Sequence, residues 1–300
     1  MPGGAARIVL FRDATVQGGV SVKVEIAAHE MGMGTATAQT QVTAERLGLP
    51  MDCVQVCYGD SRFPGVVLAG GSQQSASIGS SVMAAQAELI AALLKLADGD
   101  SPLAGLKPDD VEGRDGGLRS VEDPSRRETY ASLLSRGASD ELTVEASAPT
   151  PFEVQHWSMH SHGALFCEVR VNEVTGEIRV SRFLGSYDCG RILNAKTASS
   201  QFRGGIIMGL GLALMEETQF DERNGRVMNP SLAEYHVPVH LDVPAIDVMW
   251  TDIPDPHTPM GAHGIGEIGI TGVGAAVANA VYNACGKRVR DLPITLDKLL

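Results

Sequence analysis

Gly261-Ala-His-Gly-Ile-Gly-Glu-Ile-Gly-Ile-Thr-Gly-Val-Gly-Ala-Ala-Val-Ala-Asn-Ala280 is the stretch on which the fold turns. Within it, Gly264-x-Gly266-x-x-Gly269 opens a helix expected over Val273–Ala284, and Asp291 lies downstream, so a dinucleotide-binding turn must be weighed. That motif needs a strand directly upstream. The nearest strand-like run is 245–252, and a loop carrying Pro254, Pro256 and Pro259 separates it from the glycines. The strand-turn-helix unit is therefore missing, and the dinucleotide reading is disfavoured. Six of the fourteen residues from Gly261 to Gly274 are glycine, which suits close approach of backbone to a ligand. Glu267, between Ile265 and Ile268, is then either an exposed loop residue or a base at a desolvated position, where burial raises a carboxyl pKa. The glycines favour the second.

Working outward, Ser21–Ile26 alternates as a strand, a helix follows Gly32-Met-Gly-Thr35 to Leu47, and Val54–Tyr58 reads as the next strand. A glycine and serine loop, residues 69–77, feeds a helix over Ser80–Leu96. Residues 98–124 read as a polar surface excursion, and Ser125-Arg-Arg-Glu128 as a capping box for a short helix ending at Gly137. Phe166–Arg170 and Glu177–Phe183 form a hairpin around Asn172–Gly176. A helix within Asn194–Met215 carries Gly204, Gly205, Gly209 and Gly211, which costs stability unless something packs very close. The expectation is an α+β chain of two lobes with mixed sheets and packed helices, 1–145 and 146–300, the second carrying the Glu267 turn.

The formal charge of −12 argues against nucleic acid and anionic membranes. The longest apolar stretch, near 204–215, is too short to span a bilayer, and the first residues show no secretory pattern. Five scattered cysteines fit a reducing, cytoplasmic compartment, with co-export to the periplasm beside a partner as the alternative.

The turns at Gly32–Thr35 and Gly70–Ser77 both precede helices and suit anions such as phosphates. Together with the neutral donors Gln73, Gln74, Ser75 and Ser77 they suggest a ligand with several polar oxygens. Gln201 heads the glycine-bearing helix, where another molecule could lie against Gly204 and Gly205; an exposed helix start is the plainer reading. His156-x-x-x-His160-x-His162 and His236-x-x-x-His240 have zinc-compatible spacing, but the absence of an HExxH pattern favours solvated or core histidines. No nucleophile elbow or P-loop occurs.

Taken in order, His29–Thr35, Gly71–Ser77, Gln201–Gly211, Asn229–Tyr235, Gly264–Glu267 and Arg290–Thr295 make the chain resemble the molybdenum-binding large subunit of the xanthine dehydrogenase and aldehyde oxidase family, in particular its bacterial aldehyde oxidoreductase branch. The series is collinear over nearly the whole chain, and the chain is similar to the C-terminal, second cofactor-binding domain of that subunit. The resemblance implies that Glu267 is the base of a hydroxylation at molybdenum, acting on an aldehyde or heteroaromatic carbon. It implies that Gly32, Met33, Gly34, Thr35, Gln74, Ser75, Ala76, Ser77, Gln201 and Gly266 contact the cofactor, molybdenum-molybdopterin in its cytosine dinucleotide form. The metal is then held through the pterin, with no direct protein ligand. Electrons would leave through 2Fe-2S clusters and FAD on an iron-sulfur subunit and an FAD subunit, and the N-terminal half of the large subunit would be a further partner. Many members of the family carry Gln where this chain has Met33, so only backbone contacts carry over there. Two rivals remain: a catalytically silent assembly or binding domain, and a zinc-dependent hydrolase using the His156 cluster.

Overall fold

The computed structural model describes residues 4–149, 156–258 and 260–300, so Pro259 of the proline loop lies outside the described residues. The chain forms two compact units, one of Met1–Met159 with Pro254–Gly264 and one of His160–Ile253 with Ile265–Leu300. The division thus falls beyond the expected 145, and a late segment returns to the first unit. Short-range pattern cannot reveal such a return, because its cause is packing between residues far apart in sequence.

In the first unit, strands β1 (Ala5–Arg12) and β2 (Val20–Glu25) are followed by helix α1 (Thr35–Leu47), β3 (Val54–Cys57) and the long helix α2 (Gln74–Leu96). Then come β4 (Val111–Arg114), β5 (Gly117–Ser120), β6 (Arg127–Thr129), helix α3 (Tyr130–Arg136) and β7 (Glu141–Ser147). The main sheet has the order β3-β2-β1-β7, with β2 and β3 parallel and the other neighbours antiparallel. Alternation in β1 buries Ala6, Ile8 and Leu10 against α2, whose Ile78, Val82, Ala85, Leu89 and Leu93 complete the core. The opposite face is ionic: Arg7 pairs across the strands with Glu25 and Glu145 at 3.0 Å each, and Lys23 with Glu25 at 2.6 Å. Two-sided use of the sheet explains its strand pattern. α2 is by length and composition apolar enough to cross a bilayer, which displaces 204–215 as the longest apolar segment; its apolar face is spent on this core.

The excursion at 98–124 is no mere surface loop. It contributes β4 and β5 to the sheet β4-β5-β6 and buries Leu103 and Leu118 completely. The expected capping box also fails, because Glu128 sits in β6 and Thr129 caps α3 by accepting from the Ser132 amide. Glu128 is buried instead, accepting from Ser101 Oγ, Ser132 Oγ (2.6 Å) and Arg136 Nε (2.7 Å). Burial alone would raise its carboxyl pKa; the three donors outweigh burial and hold it below the ordinary value. A lowered folded-state pKa contributes stability that is present above the unfolded value and lost as pH falls through the folded one. Glu128→Gln should therefore cost about 3 kcal/mol near pH 7, and the gap from wild type should close as pH drops below about 4. Denaturant titrations at pH 7 and pH 3.5 check this; a gap that widens in acid would refute it.

The second unit is built on β8 (His162–Val171), β9 (Ile178–Asp188), helix α4 (Ala195–Leu214), the short pair β10 (Phe220–Asp221) and β11 (Arg226–Val227), β12 (Ala245–Trp250) and helix α5 (Val273–Cys285). β8 and β9 are the expected hairpin, with Gly176 at φ 72° in its turn. β12 adds in parallel to β9, so the sheet order is β12-β9-β8. Phe183, Ile206, Leu210, Val273, Val277 and Val281 form the core between sheet, α4 and α5. The tail returns to this core, where Ile294 is buried and donates to Ala213 O at 2.7 Å.

Candidate functional site

Each unit brings together a set of the sequence-selected residues. In the first, Gln39 Nε2 donates to Ser75 O (3.1 Å) and, about two to three turns on, Arg46 Nε donates to Gln86 Oε1 (2.8 Å), so α1 and α2 run in the same direction. Their N-termini, and with them both glycine turns, lie at one end. Gln74, buried at the first position of α2, donates from Nε2 to His29 O at 2.6 Å and ties the two loops together. A third loop joins them from far along the chain. A Cβ on Gly264 would stand 1.4 Å from Ser72 O, and one on Gly79 would stand 2.2 Å from Met260 Sδ. Ser72 itself has φ 56°, so the serine loop is bent tightly against this segment. The segment is closed by Asp255, which accepts from the His257 amide (2.7 Å) and pairs with His263. These bonds, the His257 amide first and His263 next, keep the Asp255 carboxyl below its ordinary pKa against the opposing effect of burial.

The two turns differ in a way their sequences do not announce. At α1, the amides of Gly32, Gly34 and Thr35 all donate to the Glu30 carboxylate, at 2.9, 3.2 and 2.8 Å. An anion supplied by the chain thus fills the place expected for a ligand phosphate. At α2, the opening amides of Gln74, Ser75 and Ala76 have no intrahelical acceptor, and Gln73 at the cap position supplies no side-chain bond. Thr35 Oγ1 and Gln74 Oε1 are buried at these helix starts without a hydrogen-bond partner, followed along the α1–α2 seam by Gln39 Oε1, Thr43 Oγ1 and Gln86 Nε2. Unsatisfied buried groups are costly, so this end of the unit suits a ligand rich in donors and acceptors. Gly32, exposed and at φ 99°, and the half-buried Met33 and Gly34 border it, as do half-buried Ser75, Ala76 and Ser77.

In the second unit Asn194 caps α4, accepting from the Thr197 amide at 3.0 Å, and places half-buried Gln201 two turns in. Phe202 is fully buried and stacks on Tyr187, ring centres 4.3 Å apart. The next glycines of α4 explain themselves. A Cβ on Gly205 would lie 2.7 Å from Gly269 Cα, and one on Gly209 would lie 2.5 Å from Val273 Cβ. What lies against this helix at Gly205 and Gly209 is the chain's own segment from Gly269 to Val273. Successive bonds from Ile270 N to Glu267 O (3.3 Å) and Thr271 N to Ile268 O (3.2 Å) lead into α5, whose cap Gly272 has φ 84°. Gly266 and Glu267 are exposed on this turn. Burial of Glu267 is not found among the described residues, and the glycines at 269 and 272 serve helix contact and turn geometry. A Cβ on Gly204 meets nothing within 4 Å. Gly204→Ala should accordingly stabilise the unit by up to about 1 kcal/mol, whereas Gly205→Ala, one residue on, should destabilise it by about 1–3 kcal/mol. Thermal melts of the two variants check the opposite signs.

Asn229, near the start of its motif, is structural: it accepts from Gln219 N (2.9 Å) and donates to Glu217 O (2.7 Å). A cavity of about 260 Å³ in the second unit, lined by residues including Ile178, Leu210, Leu214 and Leu296, includes none of the candidate residues. Among the described residues no three His, Cys, Asp or Glu side chains gather to hold a metal, which removes the support for the zinc reading.

With this geometry in place, comparison with known proteins is decisive. The molybdopterin cofactor-binding domain family matches residues 13–244. The chain belongs to that family. Among curated proteins, this molybdopterin-binding chain is 42% identical over 296 residues to the aldehyde oxidoreductase molybdenum-binding subunit PaoC of Escherichia coli K12, covering 98% of this chain and 38% of that protein. It is 28% identical over 303 residues to the xanthine dehydrogenase molybdenum-binding subunit of Escherichia coli O157:H7, again covering 98% and 38%. The chain thus spans well under half the length of these relatives. Solved structures share the fold, consistent with the α+β expectation: quinoline 2-oxidoreductase from Pseudomonas putida 86 at TM-score 0.79 and 24% identity, over 99% of this chain and 38% of that one. CO dehydrogenase from Oligotropha carboxidovorans follows at 0.82 and 23%, over 98% and 36%.

Sequence reading overlooked Glu30, Ser72 and Met260. An acidic residue just ahead of a Gly-x-Gly-Thr helix start was the signal available for Glu30. Met260 and Ser72 gave none, since their importance comes from contacts with Gly79 and Gly264.

Proposed function

We propose that this molybdopterin-binding chain is the base-bearing portion of a molybdenum hydroxylase of the aldehyde oxidoreductase or xanthine dehydrogenase type, oxidising an aldehyde or heteroaromatic carbon. The observation that carries the reading is the meeting in one unit of the His29–Thr35, Gly70–Ser77 and 254–264 segments at the start of α2. When bound, the cofactor supplies the redox centre at which the carbon is oxidised. The chain's residues do the rest. The amides of Gln74, Ser75 and Ala76, with the Ser77 hydroxyl, would hold phosphate oxygens at the positive end of α2. Thr35 Oγ1, Gln74 Oε1 and the backbone of Gly32, Met33 and Gly34 would meet the polar edge of the pterin, and Gln201 and Gly266 would make further cofactor contacts. Glu267 would take the proton as substrate is hydroxylated, its backbone held by the turn bonds at Ile270 and Thr271.

The cytosine dinucleotide form of the cofactor, and 2Fe-2S and FAD on separate subunits, belong to this same proposal. So does the remainder of the large subunit, whether on this polypeptide or another, which would cover Glu267 and the exposed Met31, Val66 and Leu68 beside the first unit's turns. Co-purification with that remainder tests the reading. Pterin fluorescence after oxidation and molybdenum by elemental analysis should both be present in stoichiometric amounts. A folded complex lacking both would leave a silent assembly domain as the better account.

A further inference from the structure

The turn that opens α1 is stretched over two left-handed glycines, Gly32 at φ 99° and Gly34 at φ 77°. Such an alternation points consecutive amides into one concavity, a geometry that binds anions. Glycines also give the free turn many alternative shapes, so the observed one needs something to hold it. Glu30 does so with both carboxylate oxygens: Oε1 accepts from Gly32 N and Gly34 N at 2.9 and 3.2 Å, and Oε2 from Thr35 N at 2.8 Å. The loop is also held from its other side, by Gln74 Nε2 on His29 O at 2.6 Å and Gly59 N on Ala28 O at 2.8 Å. Its outer surface stays open, since a Cβ on Gly32 would meet nothing within 4 Å.

We propose that Glu30 is a positioning residue that pre-shapes the Gly32–Thr35 turn, so that the loop meets the cofactor through its outer surface and never through the amides of Gly34 and Thr35. The inference rests on the cofactor-binding reading of this unit. Ordering the turn beforehand removes a conformational cost that binding would otherwise meet. The carboxylate also uses up the anion capacity of α1, leaving the ligand's phosphate oxygens to α2.

The test has two arms. In the cofactor-free full chain, amide hydrogen exchange at Gly32, Gly34 and Thr35 should speed up by roughly tenfold or more in Glu30→Ala, as loss of charge-assisted hydrogen bonds implies, with β1 and β2 unchanged. Glu30→Gln, which keeps one acceptor oxygen, should fall between and serves if the alanine variant folds poorly. In the assembled complex, pterin content should drop several-fold in Glu30→Ala and be partly restored in Glu30→Gln. Unchanged exchange overturns the proposal. So does faster exchange with pterin content equal to wild type. A wild-type complex without pterin would instead defeat the cofactor-binding reading, and this inference with it.

Discussion

Glu267→Gln should lower turnover of the assembled enzyme by about 10²- to 10⁴-fold while molybdenum and pterin content stay at the wild-type level. The physical case starts from placement. Glu267 sits on a turn whose backbone is fixed by Ile270, Thr271 and the contact of Gly269 with Gly205, so the substitution, nearly equal in size, removes charge without moving atoms. The side chain is exposed and outside the core. The substitution removes the base, and glutamine cannot accept the proton at any accessible pH. Steady-state kinetics with metal analysis on the same sample separates the arms. Activity within about threefold of wild type would remove Glu267 from the proposed base role; lost activity with lost molybdenum would make it a binding residue instead.

Gly264→Ala should be the most damaging glycine substitution in the first unit. The added Cβ would stand 1.4 Å from Ser72 O and 2.8 Å from Ser72 Cβ. The first obstacle is a backbone carbonyl, so no side chain can swing aside. Ser72 is already in a left-handed conformation, which leaves the serine loop little room to yield. Overpacking costs typically about 1–3 kcal/mol and here should reach or exceed the upper figure. The expected result is a melting transition lowered by roughly 6 °C or more, together with loss of pterin from the complex as the 254–264 segment separates from the serine loop. Gly70→Ala is the control. Its Cβ would come no closer than 3.8 Å to Leu68, so it should fold normally. Equal melting of the two variants would show that the contact at Gly264 relaxes at little cost.

Much of the outline was legible because its causes are local. The apolar periods and terminal glycines announced α1, α4 and α5 to within a residue or two, and the turn at Asn172–Gly176 announced the hairpin of β8 and β9. The rejection of a dinucleotide turn rested on the distance between β12 and α5, which the proline-bearing loop already displayed. The candidate loops were legible for the same reason: glycine and serine before a helix is a statement about neighbouring residues.

Other features depended on partners that no window of sequence contains. Glu128 was read as part of a cap because Ser125 stands three residues before it, yet Ser101 and Arg136 compete better for its carboxylate and draw it into a strand. β1 and β7 pair with each other at separations of well over a hundred residues, so neither advertised the sheet it joins. By itself, the sequence determined α1, α4 and α5, the hairpin and the family series of motifs, since each follows from residue type and short spacing; α2 instead begins at Gln74, ahead of the expected Ser80, so part of the serine loop is helix. Tertiary structure alone decided that Glu30 fills the anion seat of α1, that Gln74 ties the two loops together, that Gly205 receives the chain's own turn, and that Gly264 closes on Ser72. The reason is that hydrogen-bond capacity and excluded volume are shared among atoms brought together only by folding, and which group satisfies or blocks another depends on that proximity.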